Sequence, residues 1–95
     1  MMTRASDAKN REFEAYHRLI KELVQPSEDG KTYVDRQCAA VFELGRFKHY
    51  TELTMRILTG LRDKWQIEQT LDSRIAEEIK LTLAHLENKK ASPHD

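Results

Sequence analysis

Glu14 and His17 stand at the Glu-x-x-His spacing that sets a carboxylate and an imidazole on one helix face, as in carboxylate-bridged di-iron bundles. Such a centre needs a second pair and further inward-facing glutamates, and no second Glu-x-x-His occurs. His49 and His85 have no Cys or His partner at helical spacing, and His94 lies in the C-terminal tail. Cys38 with a distant histidine is the minimum for a thiol nucleophile. It falls, however, on one helix face with Val34, Val41 and Phe42, where a free cysteine acts as a small hydrophobe. Glu77 and Glu78 are adjacent, so on a helix their carboxylates diverge and cannot share a proton. The 3 glycines are too far apart for a phosphate-binding loop. These residues lead us to expect no catalysis, no metal and no cofactor.

The elements that position these side chains are helical. The chain of 95 residues is long enough for one domain, with 1–5 and 91–95 expected to fray. It is 34% charged and 39% apolar, with few Gly and Pro, which suits an all-α fold. The 16 basic and 16 acidic residues cancel and are mixed along the chain, so composition gives no pull toward nucleic acid or an anionic membrane. With one cysteine, no apolar signal-peptide core at Met1–Ser6 and no run of ~20 apolar residues, a cytoplasmic protein is expected.

A first helix is read from Ser6 or Asp7 as cap to about Val24, with Phe13, Tyr16, Leu19, Ile20, Leu23 and Val24 on one face. Pro26 ends it, and Gln25 to Lys31 is a linker rich in turn formers. Thr32 and Asp35 resemble a capping box for a second helix, Tyr33 to Leu44, whose buried face is Val34, Cys38, Val41 and Phe42. Gly45 reads as a left-handed terminator, making a helical hairpin with a third helix from about Phe47. Gly60, near the edge of that helix's apolar face, weakens it without breaking it.

From Phe47 to Leu86 an apolar stripe keeps phase, with its members within an arc of roughly 140°. Average helix lengths place a break within Lys64–Ser73, with Asp72-Ser73 capping a fourth helix to about Lys89. The unbroken phase equally permits one helix of roughly 60 Å. The expected architecture is therefore three or four amphipathic helices in a small bundle or open helical array.

The segment Cys38-Ala39-Ala40-Val41-Phe42-Glu43-Leu44-Gly45-Arg46-Phe47, leading into Ile57-Leu58, resembles one tetratricopeptide helical hairpin. Gly45 and Phe47 match the turn and Cys38 the small residue of the close helix contact, whereas Tyr50 stands where the family prefers alanine. The likeness covers Tyr33 to about Gly60 once, while a stable array needs at least about three repeats. It implies a protein-binding surface without catalysis. The alternative, a DNA-binding helix-turn-helix around Gly45, is disfavoured because Arg46, Lys48, Arg56, Arg62 and Lys64 scatter around their helix.

The functional expectation is a small non-enzymatic protein–protein interaction module: an adaptor, chaperone-like or regulatory factor. A straight stripe outruns the apolar faces of the first two helices, which points to a homodimer held by Trp65, Leu71, Ile75, Ile79, Leu83 and Leu86. Phe13, Tyr16, Phe42, Phe47, Tyr50 and Trp65 all fall on the expected buried faces. Met55, Ile67 and Leu81 lie off the stripe and mark a possible second contact face.

Overall fold

The computed structural model describes residues 4–25 and 33–91, with side chains described over 8–25 and 34–89. The described residues form four α-helices: α1 Arg4–Val24, α2 Tyr33–Leu44, α3 Thr51–Ile67 and α4 Ser73–Ala91. A 3₁₀ turn, Lys48–Tyr50, leads into α3. The fold is all-α, a small helical array. Helix α1 begins at Arg4, ahead of the expected Ser6 or Asp7, and ends at Val24 as its pattern predicts. The expected linker residues 26–31, Thr32 of the capping box and the tail beyond 91 lie outside the described residues.

The long stripe is two helices. Helix α3 stops at Ile67 without glycine or proline. Gln69 takes the left-handed conformation, φ 61°, as the one non-glycine residue of positive φ among the described residues. The Thr70 amide then donates to the Trp65 carbonyl at 2.8 Å, and the Gln69 amide to that of Gln66 at 3.1 Å. Together these two bonds make a Schellman termination, which satisfies carbonyls the helix end leaves open. A left-handed residue with a Cβ costs roughly 1–2 kcal/mol, and glycine removes that cost at some loss of unfolded-state restriction. Gln69→Gly should therefore stabilise the fold by about 0.5–1 kcal/mol, read as a raised midpoint in urea unfolding. Helix α4 starts where the sequence places it: Asp72 Oδ1 accepts the Arg74 amide at 2.8 Å and lies 3.4 Å from the Ile75 amide.

Helices α2 and α4 form the middle pair of the array. Helix α4 packs on both α2 and α3, while α1 packs on α2. Near the N-termini of α2 and α4, Asp35 pairs with Arg74; at the C-terminal end of α2, Gly45 meets Thr82. Both contacts advance in the same chain direction, so α2 and α4 run parallel. The core is drawn from every helix: Tyr16 and Leu23, then Ala40, Val41 and Leu44, then Leu58, then Ile75 and Ile79.

Helix α2 is therefore packed on two flanks. Its buried arc is centred on Val41, between Gln37, Ala40 and Leu44, and leaves Phe42 outside. Gln37 is buried because its Nε2 donates to the Leu23 carbonyl at 2.7 Å, at the open C-terminal end of α1. The hairpin reading around Gly45 is only partly met. The chain turns there, and Leu44 and Leu58 share the core, but α2 makes its principal contacts with α1 and α4 and α3 makes its own with α4.

Helix α1 reaches α3 through Tyr16. Its ring lies edge-on to Phe47 at 5.2 Å between centroids and tilted on Tyr50 at 4.5 Å. Its hydroxyl shares a buried hydrogen bond of 2.7 Å with Thr54 Oγ1. Tyr16→Phe strands the Thr54 hydroxyl in the core and should cost about 1–3 kcal/mol; adding Thr54→Val removes the second polar group and should recover most of that loss in denaturant unfolding. Burial pushes the Tyr16 phenol above its ordinary 10.0, against the lowering effect of the Thr54 bond. A raised acid favours its neutral form when folded, so its contribution is complete below pH 10.0 and is lost as pH climbs through the raised value.

Candidate functional site

The residues singled out for chemistry are not brought together. Among the described residues, no three His, Cys, Asp or Glu side chains converge on a point where a metal ion could sit. Glu14 and His17 are both exposed on α1, and the His17 ring lies against Phe13, with centroids 5.3 Å apart. His49 Nδ1 lies 3.2 Å from Glu12 Oε1, an exposed hydrogen-bond contact that ties the 3₁₀ turn to α1. Cys38 is half-buried against the core, and burial pushes its thiol up although the Arg74 charge pulls it down. A thiol held up in this way is a poorer nucleophile at neutral pH. No described helix is long and apolar enough to cross a membrane.

The six positions expected to bind a second chain divide in two. Ile75, Ile79 and Leu86 are buried within this one chain, so the expectation that they meet a partner is revised. The turn at 68–72 folds the stripe back on itself, and α2 and α3 both cover α4. Trp65, Leu71 and Leu83 are partly buried against the same core.

The large apolar side chains that do reach solvent lie elsewhere. Phe42 is 55% exposed and Leu81 54%, and both line an apolar groove of about 500 Å³ between α2 and α4. One wall is Phe42 in the last turn of α2 with Gly45 and Arg46 of the turn that follows it. The α4 wall is Glu78, Leu81, Thr82 and His85, spaced i, i+3, i+4, i+7. The floor is set by Gly45. A Cβ there would lie 2.7 Å from Thr82 Cγ2, so any side chain at 45 must push the Thr82 methyl aside. This corrects the reading of Gly45 as a left-handed terminator: its φ is not in that region, and its lack of a side chain serves the approach of α4.

No protein-family model, curated protein or solved structure matches the chain. The packing that the tetratricopeptide likeness implies, α2 laid along α3, is not the principal one: α2 packs on α1 and α4.

Periodicity places Phe42, and Phe13 and Val24 of α1, on buried faces, yet all three are exposed, as is Leu53 of α3. The missed signal in α2 was Ala40 and Leu44, which flank Val41 as well as Cys38 does and shift the buried arc away from Phe42. Leu81 did carry a signal, since it fell off the stripe. Ile67, also off the stripe, is exposed at the end of α3, and Met55 is half-buried.

Proposed function

We propose that this chain is a small non-enzymatic protein–protein interaction module that binds by burying the α2–α4 groove. The observation that supports this reading is the pairing of exposed Phe42 and Leu81 on facing walls of one apolar groove. Large aromatic and aliphatic side chains set beside a hollow are what an interface uses as anchors, because desolvating them supplies most of the binding energy. A single half-buried cysteine suits work in the reducing cytoplasm. An adaptor or regulatory role follows from binding without chemistry.

The reading is tested with a photo-crosslinking amino acid at Leu81 in the source cells, with the same group at exposed Lys9 of α1 as control. A discrete protein adduct from position 81 and not from position 9 is expected. Absence of any adduct at 81, with the chain folded, overturns the proposal.

A further inference from the structure

The turn between α3 and α4 is made of residues that suit a helix. It runs Glu68, Gln69, Thr70, Leu71, Asp72, without glycine or proline, and Glu, Gln and Leu are good helix formers. Gln69 holds a left-handed φ of 61°, which a residue with a Cβ adopts at a cost. The apolar stripe from Phe47 to Leu86 keeps its phase across this turn. Straightened into one helix, the segment relieves Gln69. Its own i→i−4 bonds then serve the amides and carbonyls now met by the turn and by Asp72. The one defect of that helix is that Glu68 and Asp72 fall on its apolar face.

Straightening lifts α4 off α2 and α3 of its own chain, so a single chain cannot support it. Two straightened copies can. Each α4 takes the seat that the other has left, and the two-fold axis passes between the hinges. Every contact of α4 with α2 and α3 is regained, which is what names a second copy of this chain as the partner. Short hinges under strain favour such exchange. We infer that this chain forms a domain-swapped dimer in which α3 and α4 become one helix and the two α4 segments trade places. Each groove is then built from two chains, with Phe42 from one copy and Leu81 from the other. The exchange depends on the hinge alone, whatever fills the groove. An α4 in its own chain competes at an effective concentration of roughly millimolar order. Relief of Gln69 in two hinges favours the dimer, and the approach of the Glu68 and Asp72 carboxylates at the axis opposes it. The dimer is therefore expected from about 0.1 mM chain upward.

The test uses the contact between Gly45 and Thr82. A Cβ at 45 stands 4.0 Å from Thr82 Cβ, within the roughly 3.5–4.5 Å span of a disulfide. One chain carries Gly45→Cys and a second carries Thr82→Cys, each with Cys38→Ser. The two are unfolded together, refolded at about 1 mM and oxidised, with helicity followed by circular dichroism. A covalent heterodimer is expected, because exchange seats α4 of one chain on α2 of the other. Two hinge variants without added cysteine are read by sedimentation equilibrium, so the outcome does not hang on the cysteine chains folding. Gln69→Gly suits the left-handed turn and weakens a helix interior, and should weaken the dimer about tenfold or more. Gln69→Val is barred from the left-handed region and accepted in a helix, and should strengthen the dimer about tenfold. A wild-type chain that stays monomeric after refolding at about 1 mM overturns the inference. So does a dimer that gives no disulfide between 45 of one folded chain and 82 of the other, or one indifferent to both Gln69 variants. A chain that fails here and still crosslinks another protein through position 81 leaves the interaction reading standing.

Discussion

Ile79→Asp is expected to unfold the chain outright, with loss of most far-ultraviolet helicity at 25 °C. Ile79 has no exposed surface and packs among Val41, Leu44, Leu58 and Ile75. The substitution removes a buried aliphatic side chain and puts a carboxylate where no cation can reach it. Either change alone is large, and together they exceed about 4 kcal/mol, a sizeable part of the roughly 5–15 kcal/mol that holds a domain of this kind. The competing outcome is informative. If the variant keeps wild-type helicity and only its mass halves, Ile79 lies at a subunit boundary, and the placement of α4 within one chain is wrong.

The second expectation concerns two glycines that look alike in the sequence. Gly45→Ala should destabilise by about 1–3 kcal/mol, because the new methyl must displace a stiff β-branched side chain. The neighbour is Thr82 Cγ2 at 2.7 Å, and Thr82 is itself buried. Thr82→Ser deletes that methyl and keeps the hydroxyl, so the double variant should recover most of the loss. Gly60→Ala should do the opposite. Nothing lies within 4 Å of a Cβ there and the residue is inside α3, so alanine should add about 0.5–1 kcal/mol. A thermal scan of the four proteins decides, since 1 kcal/mol moves the midpoint by about 4–8 °C in a domain this size. A neutral Gly45→Ala would mean that α2 and α4 stand further apart than described.

The contrast between these glycines shows what the sequence could and could not carry. Helix existence and several boundaries were legible, because they depend on local chemistry. The Thr32–Asp35 pattern and Gly45 bracketed α2, and Asp72 with Ser73 marked the start of α4 through the Asp72 capping oxygen. The end of α3 was legible only as a broad window, since its terminator is Gln69, a residue with no special claim to a left-handed backbone. Gly45 misled for the reverse reason. Local chemistry offers one use for glycine at a helix end, and tertiary structure supplied another through a residue far along the chain. The candidate site was the least legible part. Which face of α2 is buried depends on its having two neighbours, α1 and α4, and no window of sequence around Phe42 contains that information.

The parallel packing of α2 and α4 also governs the order of events when the chain folds. Asp35 and Arg74 stand 39 positions apart, so their helices meet only after all of α3 and its turn have been threaded between them. Helices α3 and α4, joined by residues 68–72, can find each other at much lower loop-closure entropy. On the ribosome the first two helices emerge before α4, and the flank of α2 that packs on α4 stays uncovered until that helix has been made. The nascent chain is thus most prone to association during the interval between synthesis of α2 and synthesis of α4.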